Sequence, residues 1–245
     1  MIDMEVKKTD SINWAELARQ ITLTDDMPSA APTRLRQIFL AAIQSGALAP
    51  GARLKEVELV KALAVSRTPL REALAALRAE GILERDDDGL RVRRLGWHDV
   101  RSLYELRGTL ESMAAQLAAQ NATRPERQVI ASTCEAEAAL IDDGATPEML
   151  ARHNRQFHHV ILQAAGNRFL SESLERLSRL MVLLGATAYS LPDRIMAIRT
   201  EHELVNAAIQ QGDVMAASTA MRAHLEAALT ARLELLSLTA SPELD

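Results

Sequence analysis

Ser66-Arg67-Thr68-Pro69-Leu70-Arg71-Glu72-Ala73-Leu74-Ala75-Ala76-Leu77-Arg78-Ala79-Glu80-Gly81 carries the punctuation and the period of one short amphipathic helix. Ser66 is a preferred N-cap residue, and Pro69 falls in the first turn, where its missing N–H costs nothing. Gly81 is the residue on which helices most often stop. Leu70, Ala73, Leu74 and Leu77 recur at helical spacing and form one apolar stripe. Arg67, Arg71 and Arg78 occupy a narrow sector of the adjoining face. A short helix with one buried face and guanidinium groups beside it suits a groove of DNA.

The residues on either side sharpen this expectation. Thr33 to Gln44 has Leu35, Ile38, Phe39, Ala42 and Ile43 on one side of a helix, and Ser45 to Gly51 is a turn. Glu56 to Leu63 is a second short helix, joined tightly through Ala64-Val65 to the Ser66 helix. That layout is a helix-turn-helix reader. After Gly81, alternating apolar and charged residues flank Asp86-Asp87-Asp88-Gly89, which predicts a β-hairpin wing.

The ordered set Gly46, Pro50-Gly51, Leu54, Glu56, Glu58-Leu59, Val65 to Pro69, Arg71 to Leu74, Leu77 and Glu80-Gly81 resembles the N-terminal domain of GntR-family transcription regulators. The resemblance spans roughly Thr33 to Leu95. It implies that Arg67 and Arg71 grip DNA, with Ser66 and Thr68 touching phosphate or base edges.

Net charge divides accordingly. The whole chain is at −5, yet residues 32–95 hold 12 Lys+Arg against 8 Asp+Glu, while residues 1–31 hold 3 against 6 and residues 96–245 hold 13 against 19. Positive charge therefore collects where phosphate contact is expected. The acidic wing tip, Asp86 to Asp88, departs from what a phosphate-gripping wing needs, whereas Arg91, Arg93 and Arg94 are placed to touch phosphate from the strand.

A chain of 245 residues allows one large or two modest domains. Aromatics are only 3% while Leu and Ala abound, which favours helices over sandwiches or barrels. No apolar run approaches a membrane span, and the start lacks a signal peptide's apolar segment. Cys134, the single cysteine, excludes an internal disulfide framework and fits a reducing, cytoplasmic setting. The expected organisation is an arm and linker over 1–31, a winged helix-turn-helix over 32–95, and an all-helical effector-binding and dimerisation domain over 97–236. In the arm, Ile12, Trp14, Leu17, Ala18 and Ile21 are placed on one helix. Trp14 is assigned either to a partner surface or to a frayed end.

Helical periodicity fills the remainder: Asp99 to Asn121, a Pro125 helix to Ile141, and a Pro147 helix stopping at Gly166-Asn167. Phe169 towards Ala188, Pro192 to Gly212, and Val214 to Leu236 complete the set. The fold class is mainly α, a winged reader followed by a helical bundle. Asn154 and His158 are four apart and share a helix face. His202 lies ten residues before Gly212 and His224 twelve after it. If those two helices pack antiparallel, both imidazoles stand roughly 15 Å from the turn. Three imidazoles and an amide oxygen pointing into a bundle suit a divalent ion such as Zn, Ni or Mn. From spacing alone, exposed or core-satisfied histidines are the competing assignment.

Tyr104-Glu105-Leu106-Arg107 with Leu110-Glu111, Asn154-x-x-Phe157-His158, Ala165-Gly166-Asn167, Glu201-His202 and Met221 to Leu225 resemble the all-helical FCD effector domain of the FadR subfamily. The resemblance implies metal ligation by Asn154, His158, His202 and His224, with Asn154 where the usual ligand is Asp. It also implies a small carboxylate effector facing Arg107, a homodimer and a palindromic operator. An Arg107–Glu111 ion pair at i,i+4 is the competing role for that arginine. His98, His153 and His159 are placed on the surface. Two rival functions are weighed: a regulator whose metal is structural or itself the signal, and a metal-dependent hydrolase or lyase. The second lacks a motif such as His-Glu-x-x-His that supplies a general base at a defined offset, and Glu201 and Glu203 are expected to point away from His202.

Overall fold

The computed structural model describes Trp14, residues 30–185 and residues 187–239. The other four residues placed on the expected arm helix, and residues 25–29 of the expected linker Asp25–Pro32, lie outside the described residues, while Ala31 and Pro32 of that linker already belong to the first helix. The chain divides into two compact units. One ends at Leu95 and also takes in Ser178–Ala186, and the other comprises Gly96–Leu177 and everything from Thr187 onward.

The first unit contains α1 (Ala31–Gln44), β1 (Arg53–Leu54), α2 (Glu56–Leu63), α3 (Arg67–Ala79), β2 (Leu83–Asp86) and β3 (Gly89–Val92). Leu70, Ala73, Leu74 and Leu77 of α3 are all buried, packed with Leu35, Ile38 and Phe39 of α1 and Leu59 of α2. Each buried leucine contributes about 1.5–3 kcal/mol, so this stripe rather than helix propensity holds α3 in place. The helix closes in a Schellman arrangement, with Gly81 N–H donating to Arg78 and Ile82 N–H to Leu77. Gly81 has φ +76°, which a β-carbon would strain.

The wing is a three-stranded antiparallel sheet in the order β1-β3-β2. Glu84 stands opposite Arg91 and bonds it at 2.8 Å. β1 was not legible in advance, since two residues carry no period. Trp14 corrects both expected roles: it is buried in the reader's own core, edge-to-face with Phe39 at 5.2 Å.

The second unit is helical: α4 (Trp97–Asn121), α5 (Arg124–Asp142), α6 (Pro147–Ala164), most of α7 (Arg168–Leu180), α8 (Pro192–Gln211) and α9 (Val214–Thr239). Local chemistry starts and stops them. Asp99 accepts from Gly96 N–H, Thr123 and Glu126 form a capping box, and Asn167 accepts from the N–H groups of Phe169 and Leu170. α9 packs along α4 and α8, and α5 packs on α6 and α8. Ala115, Ala118, Ala119, Ala208 and Ala217 let the backbones approach, and Phe157, Ile161, Ile209 and Met221 fill the space between.

One expected element is shorter than its periodicity. α7 ends at Leu180 instead of running towards Ala188, passing into a 3-10 turn over Met181–Leu184. Leu183 is buried in the core of the first unit, with Leu180 and Val182 against it. Tertiary packing redirects this segment where a helical pattern would have continued. No described helix is long and apolar enough to cross a membrane.

Candidate functional site

Ser66, Arg67, Thr68 and Arg71 are all exposed at the start of α3. Ser66 adopts extended backbone, φ −76° and ψ 162°, and its hydroxyl makes no capping hydrogen bond. That hydroxyl and the neighbouring N–H groups at the helix start form a small donor surface suited to phosphate. Arg71 bonds Glu56 at 2.8 Å across the helix-turn-helix, an exposed pair that an anionic partner can displace. At the wing tip Asp88 pairs with Arg53, and Asp86 with Arg91 at 2.7 Å. The tip is thus partly self-neutralised, and Arg91 faces carboxylates on its own sheet.

In the second unit, α6, α8 and α9 bring His158, His202 and His224 together. One ring nitrogen of each lies within 4.8 Å of the others. The His202 and His224 ring centroids are 4.7 Å apart, and Nε2 of His224 stands 3.2 Å from Nε2 of His158. Two imidazole nitrogens on one tetrahedral ion are about 3.3 Å apart. Phe157 stacks on His202 at 4.1 Å and closes one side with hydrocarbon.

Each imidazole is backed by a carboxylate at Nδ1. His158 meets Glu111 of α4, His202 meets Glu137 of α5 at 2.7 Å, and His224 meets Glu201 of α8 at 2.7 Å. Each carboxylate has a further donor: Arg107 on Glu111, the Tyr189 hydroxyl on Glu137, and Arg194 on Glu201. A carboxylate accepting from Nδ1–H leaves the Nε2 lone pair directed at the common centre. Nε2 of His202, fully buried, has no hydrogen-bond partner among the described residues. Converging acceptors without a donor leave a place for a cation, so the donor set fits a transition metal of the Zn, Ni or Mn type.

The electrostatics agree. Burial pushes His224 down to about 3 and also lowers His202, despite their carboxylate partners, so both rings are neutral and ready to ligate. Burial alone would raise the carboxylates. Hydrogen bonds from His224 and Arg194 instead bring Glu201 to about 2, and Arg107 with His158 holds Glu111 well below its usual range. Three carboxylates against Arg107 and Arg194 leave the centre one negative charge in excess, which a dication would turn into one positive.

Among the other expected residues, Asn154 sits one turn before His158 on α6, half-buried, and makes no hydrogen bond to the three imidazoles. Arg107 is engaged by Glu111 at 2.6 Å and lies over the Tyr104 ring, so the competing i,i+4 pair is present. Glu201 turns from His202, its chain neighbour, as expected, and reaches His224 on the next helix. His153 is not purely a surface group, since its Nε2 lies 2.7 Å from the Thr133 carbonyl oxygen. His98 and His159 are exposed. Glu137, Tyr189 and Arg194 went unnoticed in the sequence. A lone Glu in a polar helix carries no local signal for a partner 65 residues away.

Comparison with known proteins accords with both units. Residues 33–89 match the model for bacterial regulatory proteins of the gntR family, and residues 102–227 match the FCD domain. The HTH-type regulator YdhC of Bacillus subtilis, itself uncharacterized, is 30% identical, covering 74% of this chain and 82% of its own. A probable D-xylose utilization operon transcriptional repressor of Paenarthrobacter nicotinovorans is also 30% identical, covering 81% and 87%. McbR/YncC of E. coli shares the fold with a TM-score of 0.70 at 23% identity, over 85% of this chain and 99% of that one. The exposed arginine-bearing helix, its wing and the helical second unit are those of a DNA-binding transcription regulator rather than an enzyme, and the chain belongs to the GntR family, with an FCD domain as its second unit.

Proposed function

We propose that this regulator is a cytoplasmic homodimer of the FadR subfamily type that answers to a small carboxylate. It would read a palindromic operator through Ser66, Arg67, Thr68 and Arg71 of two copies. A divalent metal would be held by His158, His202 and His224, with the Asn154 amide oxygen as fourth ligand. The observation that carries the metal assignment is the convergence of three imidazoles, each oriented by its own carboxylate, two of them (Glu111 and Glu137) buried. With the dication the centre is one charge positive, which favours an anion in a further coordination position beyond the four protein ligands. Arg107 would then share its guanidinium between Glu111 and the ligand carboxylate. Effector and DNA are linked because each prefers one arrangement of the dimer.

Elemental analysis of purified protein tests this directly. About one metal per chain is expected, and His202→Ala should lose it, because an imidazole is a full ligand and the remaining groups are too few. Full loading in that variant would sink the site. The existing Arg107–Glu111 pair favours a second reading, in which the metal is structural or itself the signal and no organic effector is needed. Metal titration followed by thermal shift, with and without a panel of organic acids, separates the two. A ligand specific to the native state raises the melting temperature only in the first.

A further inference from the structure

We infer that Glu137 and Tyr189 are positioning residues that tie His202 to the chain segment seated in the DNA-reading unit, so that metal occupancy is relayed along the chain to the reader. This rests on the metal assignment above. Tyr189 lies on the 3-10 turn Ala188–Ser190, and its hydroxyl donates to Oε1 of Glu137 at 2.7 Å. Oε2 of the same carboxylate accepts from Nδ1 of His202 at 2.7 Å. All three side chains are buried, Tyr189 to 3% exposure, Glu137 to 1% and His202 to 0%. Each carboxylate oxygen therefore holds one partner. Moving either partner away leaves a buried polar group unpaired.

The other two carboxylates are braced differently. Arg107 and Glu111 share α4, and Arg194 and Glu201 share α8, so those bonds stay inside one rigid helix. Glu137 alone of the three is braced from a short turn outside the long helices. Six residues before Tyr189, Leu183 is buried in the first unit's core, with Leu180 and Val182 packed against it. A metal on Nε2 of His202 polarises the ring, strengthens its Nδ1–H donation to Glu137 and fixes that carboxylate in place. The hydroxyl of Tyr189 is then held as well, and the turn that follows the Leu180–Leu184 segment loses freedom. Binding at the centre thereby restricts a segment whose side chains belong to the reader, which is the differential interaction a coupling between sites requires.

Hydrogen exchange on the full chain, stripped of metal and then titrated with Zn²⁺, tests the relay. In the wild type, Zn²⁺ should slow exchange about tenfold at Leu180–Leu184 and Ala188–Ser190 as well as around the three histidines. Tyr189→Phe should bind the same amount of Zn²⁺ but confine protection to α6, α8 and α9. Glu137→Gln keeps both hydrogen bonds, because the tyrosine hydroxyl can turn to accept from the amide, yet removes the charge. It should weaken Zn²⁺ by about 10–100-fold and regain protection of the segment at saturation. The relay is overturned if Tyr189→Phe shows wild-type protection at Leu180–Leu184, or if wild-type protein binds Zn²⁺ without any change there. Unaltered Zn²⁺ affinity in Glu137→Gln would remove the positioning role even if Tyr189→Phe failed to fold. Absence of Zn²⁺ binding by the wild type would instead overturn the metal assignment itself, and the relay with it.

Discussion

Arg67 and Arg71 show how much a single exposed side chain decides. A guanidinium bidentate to guanine discriminates by about 1–3 kcal/mol, so Arg67→Ala should weaken operator binding by that amount. Arg71 must first leave Glu56, an exposed pair contributing up to about 1 kcal/mol, so Arg71→Ala should fall at the lower end. Fluorescence anisotropy with operator DNA measures both, and wild-type affinity in the two variants would remove α3 as the reader. In the second unit Asn154 stands where a carboxylate would add a negative charge. Asn154→Asp should tighten the divalent metal by about tenfold or more, since close unit charges are worth several kcal/mol even when well screened. The same change should weaken an anionic effector, which meets a less positive centre. Calorimetry with metal and then with carboxylate separates the two effects, and equal movement of both in one direction would argue against a shared centre.

Elements are held by contacts that reach across several helix ends at once. Arg127 of α5 donates to Ala119 and Ala122 at the end of α4, and to Ile209 and Gln210 at the end of α8. One cation thus satisfies terminal carbonyls of two helices and opposes both dipoles. Arg127→Ala should cost about 2–3 kcal/mol, and Arg127→Lys should recover only part of it, because a compact ammonium cannot reproduce the planar fork. Chemical denaturation measures this, and a loss under 0.5 kcal/mol, roughly the limit for an ordinary surface change, would mean water replaces the guanidinium freely. The wing is set by charge as well as by register. Changing Asp86, Asp87 and Asp88 to Asn removes phosphate repulsion and releases Arg53 and Arg91 from Asp88 and Asp86. Operator binding should tighten by about 1 kcal/mol at low ionic strength, and the gain should shrink as salt rises. No gain at low salt would place the tip away from DNA.

Across the whole molecule, the buried thiol reports on cooperativity. Burial, with Glu137 nearby, pushes Cys134 up to about 11, and its side chain lies in the core of the second unit. At pH 8 only about a thousandth of it is thiolate, against roughly a quarter in an unfolded chain. Alkylation should therefore be at least about a hundredfold slower in the native protein than in denaturant, and should follow the unfolding transition. Rapid labelling under native conditions would show that α5 opens locally, apart from the rest of its unit.

Local chemistry was sufficient for most of the architecture. Ser66, Pro69 and Gly81 punctuate α3, the Leu70–Leu77 stripe orients it, and Thr123, Pro147 and Gly212 stand at the ends of bundle helices. Those signals act within about one helical turn, so they are written in consecutive residues. His202 and His224 were also legible, because helical period and one turn set their heights, whereas His158 joined them through the family resemblance. The carboxylates behind them were not: Glu137 and His202 are 65 residues apart, and no local pattern marks a lone Glu as buried. For the same reason packing alone decided that Trp14 enters the reader's core, that α7 stops at Leu180, and that Leu183 joins the first unit. Apolar side chains record that they must be covered, and only the folded chain specifies by what, since burial carries no direction of its own.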